Sequence, residues 1–385
     1  MALGELGEQA ACIASCERAL AVDPGYARAW YNIGNARRAR NERAAAVACY
    51  RRALALEPDF SKTWNNLGIV LGELGRPDEA MTAYRQALAL EPGDASQHMN
   101  IAFMLLLKGR YAEGWQEFEW RWLSAKYAPH RYARPLWRGE PLPGRTLLLH
   151  AEQGMGDTLQ FVRYAAWARE RTGRVLVRCQ TPLVPLLASA TGVDAVFGEN
   201  EPLPAFDAHA PLMGLPKLHG TDASTIPAAI PYLFAEAGRI GRFRLRFDDI
   251  PGLRIGIVWQ GNPNHVGDRL RSFPLARFEP LAALPGVHLF SLQQGSGAEQ
   301  LAAAAGRFPV TDLSPYTRDF RDLAAALRAL DLVITCDTAV AHAAGALGVP
   351  VFLPAPALAR LALAGGPHGH ALVPDHAALP AAGVR

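Results

Sequence analysis

Two rhythms of apolar and polar positions divide the chain. Through residues 1–126, small and apolar residues fall at helical spacing, and the pattern returns at a fixed interval. Pro24, Pro58 and Pro92 stand 34 apart, as do Asn32, Asn66 and Asn100; Trp30, Trp64 and His98; and Gly34, Gly68 and Ala102. Cys16, Tyr50, Tyr84 and Phe118 keep the same register, with Ala19, Ala53 and Ala87. Such a period predicts stacked helix pairs, because each pair buries its apolar face only against the next. The small residues predict close helix contact with the aromatic filling the gap, and each proline predicts the close of one helix before the next turn.

From residue 146 the rhythm changes. The short apolar runs TLLLH, RVLVRC and DAVF, and later RIGIVW, HLFSLQ, LVITC and VPVFL, alternate with amphipathic segments such as DTLQFVRYAAWARE and FRDLAAALRAL. Strands alternating with helices predict a parallel sheet covered on both faces. The two series are parted by the irregular IPAAIPYLFAEAGRIGRFRLRFDDIPG. They predict two Rossmann-like α/β domains, 146–235 and 236–354, with a cleft between them. Residues 127–145, rich in proline, aromatics and arginine, read as a linker. Ligands of open parallel sheets sit beyond the carboxyl ends of the strands, so candidate chemistry is sought there.

Composition narrows the classes. The chain has 385 residues, 50% hydrophobic and 19% charged, with a formal net charge of +3, which suits a folded protein of two or three domains. No basic stripe suggests a nucleic-acid partner. The most apolar stretch, 345–366, is broken by Pro350, Pro354, Pro356 and Arg360, so the chain is not expected to span a membrane. The start shows no basic segment leading into an apolar one, and the five cysteines form no C-x-x-C pair. Both features point to a cytoplasmic chain without disulfides or a cysteine-rich zinc site.

A period of 34 with Trp, Leu-Gly, Tyr or Phe, Ala and Pro in this order resembles the tetratricopeptide repeat. The resemblance implies an α-solenoid whose concave face holds a protein or peptide partner. Asn32, Asn66 and Asn100 then form a ladder able to hydrogen-bond the backbone of a bound peptide; alternatively they tie turns together within the array. Residues 1–24 align with the second half of a repeat, which predicts about three and a half repeats and a shortened chain or misplaced start.

Three strand ends carry candidate chemistry. After TLLLH comes HAEQGMGDTLQ, where Gly154 and Gly156 allow a tight turn and Asp157 opens a helix, either as a simple cap or as a reactive carboxylate. After LVITC comes CDTAVAHAAGALG. There the helix following Asp337 and Thr338 points free amides at the cleft, suited to a diphosphate, and His342 lies one turn on. The alternative is that Asp337 or Thr338 caps the helix and His342 is a core histidine. After RIGIVW, Gln260 and Asn262 offer hydrogen bonds, and Arg269 and Arg271 offer charge to phosphate.

Together these segments resemble the glycosyltransferase family 9 type of GT-B enzymes, the lipopolysaccharide heptosyltransferases. The whole chain, with its repeats, GWQEFEWRW, HAEQGMGDTLQ and DTAVAHAAGALG, is similar to bacterial tetratricopeptide-glycosyltransferase proteins. The resemblance implies Asp157 as the catalytic base after Gly154 and Gly156. It implies Arg271, ahead of Phe273-Pro274, on the donor phosphate, and Asp337, Thr338, Ala339 and His342 around the nucleotide diphosphate. The implied fold is a tetratricopeptide α-solenoid followed by a GT-B pair of Rossmann-like domains. The implied activity is inverting transfer from a nucleotide-diphosphate sugar, with no other cofactor. No D-x-D occurs, so no metal is expected. The resemblance stops after Pro354; the low-complexity tail 355–385 predicts a frameshifted or degraded end. The competing expectation is a tetratricopeptide scaffold with an inert glycosyltransferase-like region.

Overall fold

The computed structural model describes residues 2–124, 132–247, 249–264 and 268–354; the atypical tail 355–385 lies outside the described residues. They form two compact units, a helical one up to residue 124 and a sheet-bearing one from residue 132.

The first unit is a run of seven helices: α1 (Ala2–Val22), α2 (Ala27–Ala39), α3 (Arg43–Leu56), α4 (Ser61–Glu73), α5 (Pro77–Leu90), α6 (Ala95–Leu107) and α7 (Tyr111–Phe118). Within each pair the turn is made by a left-handed residue at the same phase of the period: Asn41 (φ 66°), Gly75 (φ 73°) and Gly109 (φ 72°). Such a residue ends a helix by turning its last carbonyls toward the following amides. Gly34 and Gly68 exist to admit a ring. A Cβ at Gly34 would lie 2.5 Å from Tyr50 Cε1, and one at Gly68 2.6 Å from Tyr84 Cε1. Both tyrosines are buried with Leu54, Leu67, Leu71 and Met81 in one core. Trp64 and His98, one period apart, repeat a second contact. The Trp64 indole donates to the Pro58 carbonyl at 2.8 Å, and His98 Nε2 lies 3.0 Å from the Pro92 carbonyl. Gly7 occupies the phase of Gly75, yet α1 runs through it as one helix. Gln9 replaces the helix-starting Pro77, and Gly7 does not take positive φ.

The second unit holds two parallel sheets. The first contains β1 (Leu142–His150), β2 (Thr172–Cys179), β3 (Ala195–Gly198) and β4 (Ala208–Pro211) in the order β3-β2-β1-β4. The second contains β5 (Leu253–Val258), β6 (Val287–Ser291), β7 (Thr311–Asp312), β8 (Leu332–Thr335) and β9 (Val351–Phe352) in the order β7-β6-β5-β8-β9. Leu147, Leu148 and Leu149 are fully buried whichever way they point, as expected of a strand covered on both faces.

The sequence missed β4 and β7, which at four and two residues are too short to carry a strand signal. The linker drawn over 127–145 is also corrected. Among its described residues, Trp137 is buried and donates its N–H to the His209 carbonyl at 2.7 Å, and β1 already begins at Leu142. The stretch from 132 onward is therefore part of the sheet unit. The helix expected over DTLQFVRYAAWARE is broken into α8 (Met155–Phe161), a 3-10 turn and a further helix, Ala165–Arg171. Side chains take the carbonyls that would continue α8: Tyr232 Oη donates to Leu159 O at 3.1 Å, and Arg163 Nε to Gln160 O at 2.9 Å.

Candidate functional site

A parallel sheet opens a crevice where neighbouring strands send their connections to opposite faces, because the loops part there. The strand orders put this switch between β1 and β4 in the first sheet and between β5 and β8 in the second. The three segments singled out in the sequence leave β1, β5 and β8. All three therefore sit at a switch point.

After β1, Asp157 is half-buried in the first turn of α8, and its Oδ2 accepts the Gly154 N–H at 3.1 Å. The capping bond is thus present. The loop before it is pinned from both sides. Glu152 Oε2 accepts the Met213 N–H at 3.1 Å, just past β4. Gln180, just past β2, donates its amide to the Gln153 carbonyl and accepts Thr158 Oγ1 at 2.9 Å.

After β8, Thr338 is the N-cap of the helix Ala339–Ala346, but its side chain makes no capping bond; its hydroxyl lies 3.3 Å from Thr335 Oγ1. The Ala341 N–H donates to the Thr338 carbonyl at 3.0 Å, which leaves the amides of Ala339 and Val340 without a side-chain cap at the positive end of the helix, the arrangement that attracts anions. His342 Nε2 is 3.6 Å from Asp337 Oδ1, and the Asp337 side chain is 67% exposed. Next to them Cys336 is buried, and burial pushes its thiol up to about 12 despite the Arg271 charge, so it stays protonated and is no nucleophile.

After β5, Arg271 is carried to the end of β8. Its Nη1 donates to the Asp337 carbonyl at 2.6 Å, and its Nε donates to Asp268 Oδ1 at 3.1 Å. Asp268 is buried, and its other oxygen accepts Ser272 Oγ at 3.0 Å, so the guanidinium is held by a fixed carboxylate. Gln260 and Asn262 serve the loop instead. Gln260 Oε1 accepts Gln300 Nε2 at 3.2 Å, and Asn262 Oδ1 accepts the Asn264 N–H at 3.0 Å. The Arg269 side chain lies outside the described residues.

The two switch points touch. A Cβ at Gly156 would stand 2.8 Å from His342 Cδ2, so the glycine is what lets α8 and the helix Ala339–Ala346 come together. This contact brings Asp157 and His342 onto adjoining helices. Sequence reading missed Gln180 and Gln293, which order these loops. Gln293 is buried past β6; its carbonyl accepts the N–H groups of Trp259 and Gln260 at 3.1 Å each, and its amide donates to Gln260 O at 2.9 Å and Ser296 O at 2.7 Å. The available signal was a glutamine just beyond a strand's carboxyl end, shared by Gln180, Gln260 and Gln293.

In the repeat unit the asparagines are partly spent on the array itself. Asn66 Nδ2 donates to Asn35 Oδ1 at 2.9 Å, and Asn35 also accepts the Tyr50 hydroxyl at 2.8 Å. Asn100 Nδ2 donates to Asn65 Oδ1 at 2.9 Å. Asn32 is exposed and makes no side-chain hydrogen bond among the described residues. Among those residues no group of three or more His, Cys, Asp or Glu is arranged to hold a metal ion, and no helix is long and apolar enough to cross a membrane.

Comparison with known proteins bears on the helical unit first. Residues 61–94 match the family model described as tetratricopeptide repeat, and residues 34–75 match that described as TPR repeat. Protein FlbA of Caulobacter vibrioides is 30% identical over 281 residues, which cover 66% of this chain and 46% of that protein. The chain thus spans about half the length of the curated relative it matches. Among solved structures, a crystal structure of MamA is 28% identical over 28% of this chain and 63% of that one, with a TM-score of 0.27. YrrB, titled a TPR protein with an unusual peptide-binding site, is 23% identical over 32% and 63%, with a TM-score of 0.29. The helical unit is an array of tetratricopeptide repeats, a protein-interaction module.

Proposed function

We propose that the sheet-bearing unit is an inverting glycosyltransferase of the GT-B kind, using a nucleotide-diphosphate sugar, and that the repeats present a protein or peptide acceptor to it. One observation carries the reading: Arg271 and the uncapped helix start at Thr338–Ala339 converge at one switch point, which Gly156 joins to the other, where Asp157 stands. A guanidinium beside free amides is a receptor for diphosphate. In the reaction Asp157 takes the proton of the acceptor hydroxyl, the oxygen bonds to the anomeric carbon in line, and the bond from that carbon to the diphosphate breaks. The negative charge gained by the departing diphosphate is met by Arg271 and the helix amides. His342 and Asp337 line the same end, and no metal is called for.

A second reading, a tetratricopeptide scaffold with an inert sheet unit, draws support from the Asp157–Gly154 capping bond, which gives that carboxylate a purely structural task. Calorimetry with ADP, UDP and GDP separates the two. Binding of one of them, weakened about tenfold or more by Arg271→Ala, supports the donor site. Binding of none leaves the scaffold.

A further inference from the structure

The second sheet carries another cationic groove, at its edge rather than at its switch point. It lies past the edge strand β7, between the helix Ala237–Leu245, the turn at Tyr316 and the start of the helix Phe320–Ala329, and encloses about 370 Å³. Four arginines line it, with only two carboxylates, Asp319 and Asp322. Both carboxylates are committed. Asp322 accepts from Arg239, which Glu236 also holds at 2.9 Å. Asp319 accepts the backbone N–H groups of Arg321 and Asp322 at 2.9 Å each, and pairs with the Arg321 guanidinium at 3.0 Å.

Arg242, Arg246 and Arg318 remain. All three are exposed and none makes a side-chain hydrogen bond or an ion pair among the described residues. The Arg246 guanidinium stacks 3.6 Å over the centroid of the Tyr316 ring. Stacking uses only the face of the guanidinium, so its in-plane N–H donors stay available while its orientation is fixed. Buried Phe243 adds an apolar wall. Three uncompensated cations around one concavity focus a positive potential that a multiply charged anion relieves.

We propose that this groove binds a small soluble phosphate ester, its phosphate or diphosphate forked by Arg242, Arg246 and Arg318 beside the Tyr316 ring. The site shares no residue with the strand-end site and does not rest on the glycosyltransferase reading.

Inorganic pyrophosphate is the probe, titrated into the full chain by calorimetry at about 50 mM and about 200 mM salt, with tighter binding expected at the lower value. Arg246→Ala combined with Arg318→Ala is expected to weaken this binding at least about tenfold. These titrations are made in the Arg271→Ala background, which disarms the strand-end diphosphate receptor and leaves the groove as the site read. A readout needing no variant is phenylglyoxal labelling resolved by peptide: pyrophosphate should protect Arg242, Arg246 and Arg318. The proposal is overturned if the Arg271→Ala chain binds no pyrophosphate, or if its binding survives the added Arg246→Ala and Arg318→Ala. It is equally overturned if the three arginines label at the same rate with and without the probe. Groove-dependent binding only to phosphatidylserine vesicles, or only to single-stranded RNA, would overturn it too by giving the cations a macromolecular partner.

Discussion

In the repeat array, Gly34 and Gly68 each make room for a tyrosine of the very next helix; in the sheet-bearing unit, Gly156 makes room for an imidazole that arrives from the other sheet. The steric event is alike, a ring lying where a Cβ would be. Its consequence differs. A glycine facing a buried tyrosine fixes how two consecutive helices pack, and the period repeats that solution. Gly156 instead fixes the approach of two segments remote in sequence, each carrying polar groups at a strand end. The array spends its tight contacts on stability, and the sheet unit spends this one on bringing chemistry together.

Substitutions can test this contrast, and the largest effect is expected at the reacting carboxylate. If Asp157 is the base, Asp157→Asn lowers transfer by about 10²- to 10⁴-fold while nucleoside diphosphate binding by calorimetry stays near wild type. Retained turnover would remove it from that role. Next in size is Gly68→Ala, which drives a methyl group into the buried Tyr84 ring. It should cost about 1–3 kcal/mol in the repeat unit's urea or thermal unfolding without touching nucleotide binding. Gly156→Ala sharpens the comparison. Its Cβ meets an imidazole that is not fully buried, so nucleotide affinity should fall further than stability; a loss of stability alone would make Gly156 a packing residue like Gly68.

Asn100→Ala removes one bond between repeats and is expected to cost about 0.5–1.5 kcal/mol. Wild-type stability in this variant would release the asparagine ladder for a partner. The smallest effect is a pH dependence confined to the sheet unit. Burial, aided by the Arg171 charge, holds His219 below the usual 6.5. The unfolded chain binds a proton near that pH that the folded chain refuses. Stability is therefore full above 6.5 and declines as pH falls through it toward the lower folded value. Thermal midpoints of the sheet unit should drop between about pH 7.5 and about pH 5, and less so in His219→Gln.

Much of this was legible in the chain. The period of 34 named the residues that meet in the array, because the Gly34–Tyr50 contact lies between consecutive helices and recurs one period on at Gly68–Tyr84. Gly7 shares the phase of Gly75, but the proline that begins the next helix is absent there and the helix continues. In the sheet unit, TLLLH, RIGIVW and LVITC announced their strands, and the polar groups after them were correctly located at strand ends. Asp268 and Gln293 escaped notice. A buried carboxylate that aims an arginine and a buried amide that ties two loops look, in sequence, like ordinary loop and strand-end residues.

The sequence by itself determined the helix pairs, their turns, the strands of two parallel series and which polar side chains stand past them, since all of these follow from spacing over a few residues or one repeat. Only the tertiary structure decided that β4 and β7 complete the sheets, that Arg271 grips the carbonyl of Asp337, and that Gly156 lies under His342. Those outcomes depend on strand order and on close approach between segments far apart in the chain, and no local pattern of apolar and polar residues encodes either.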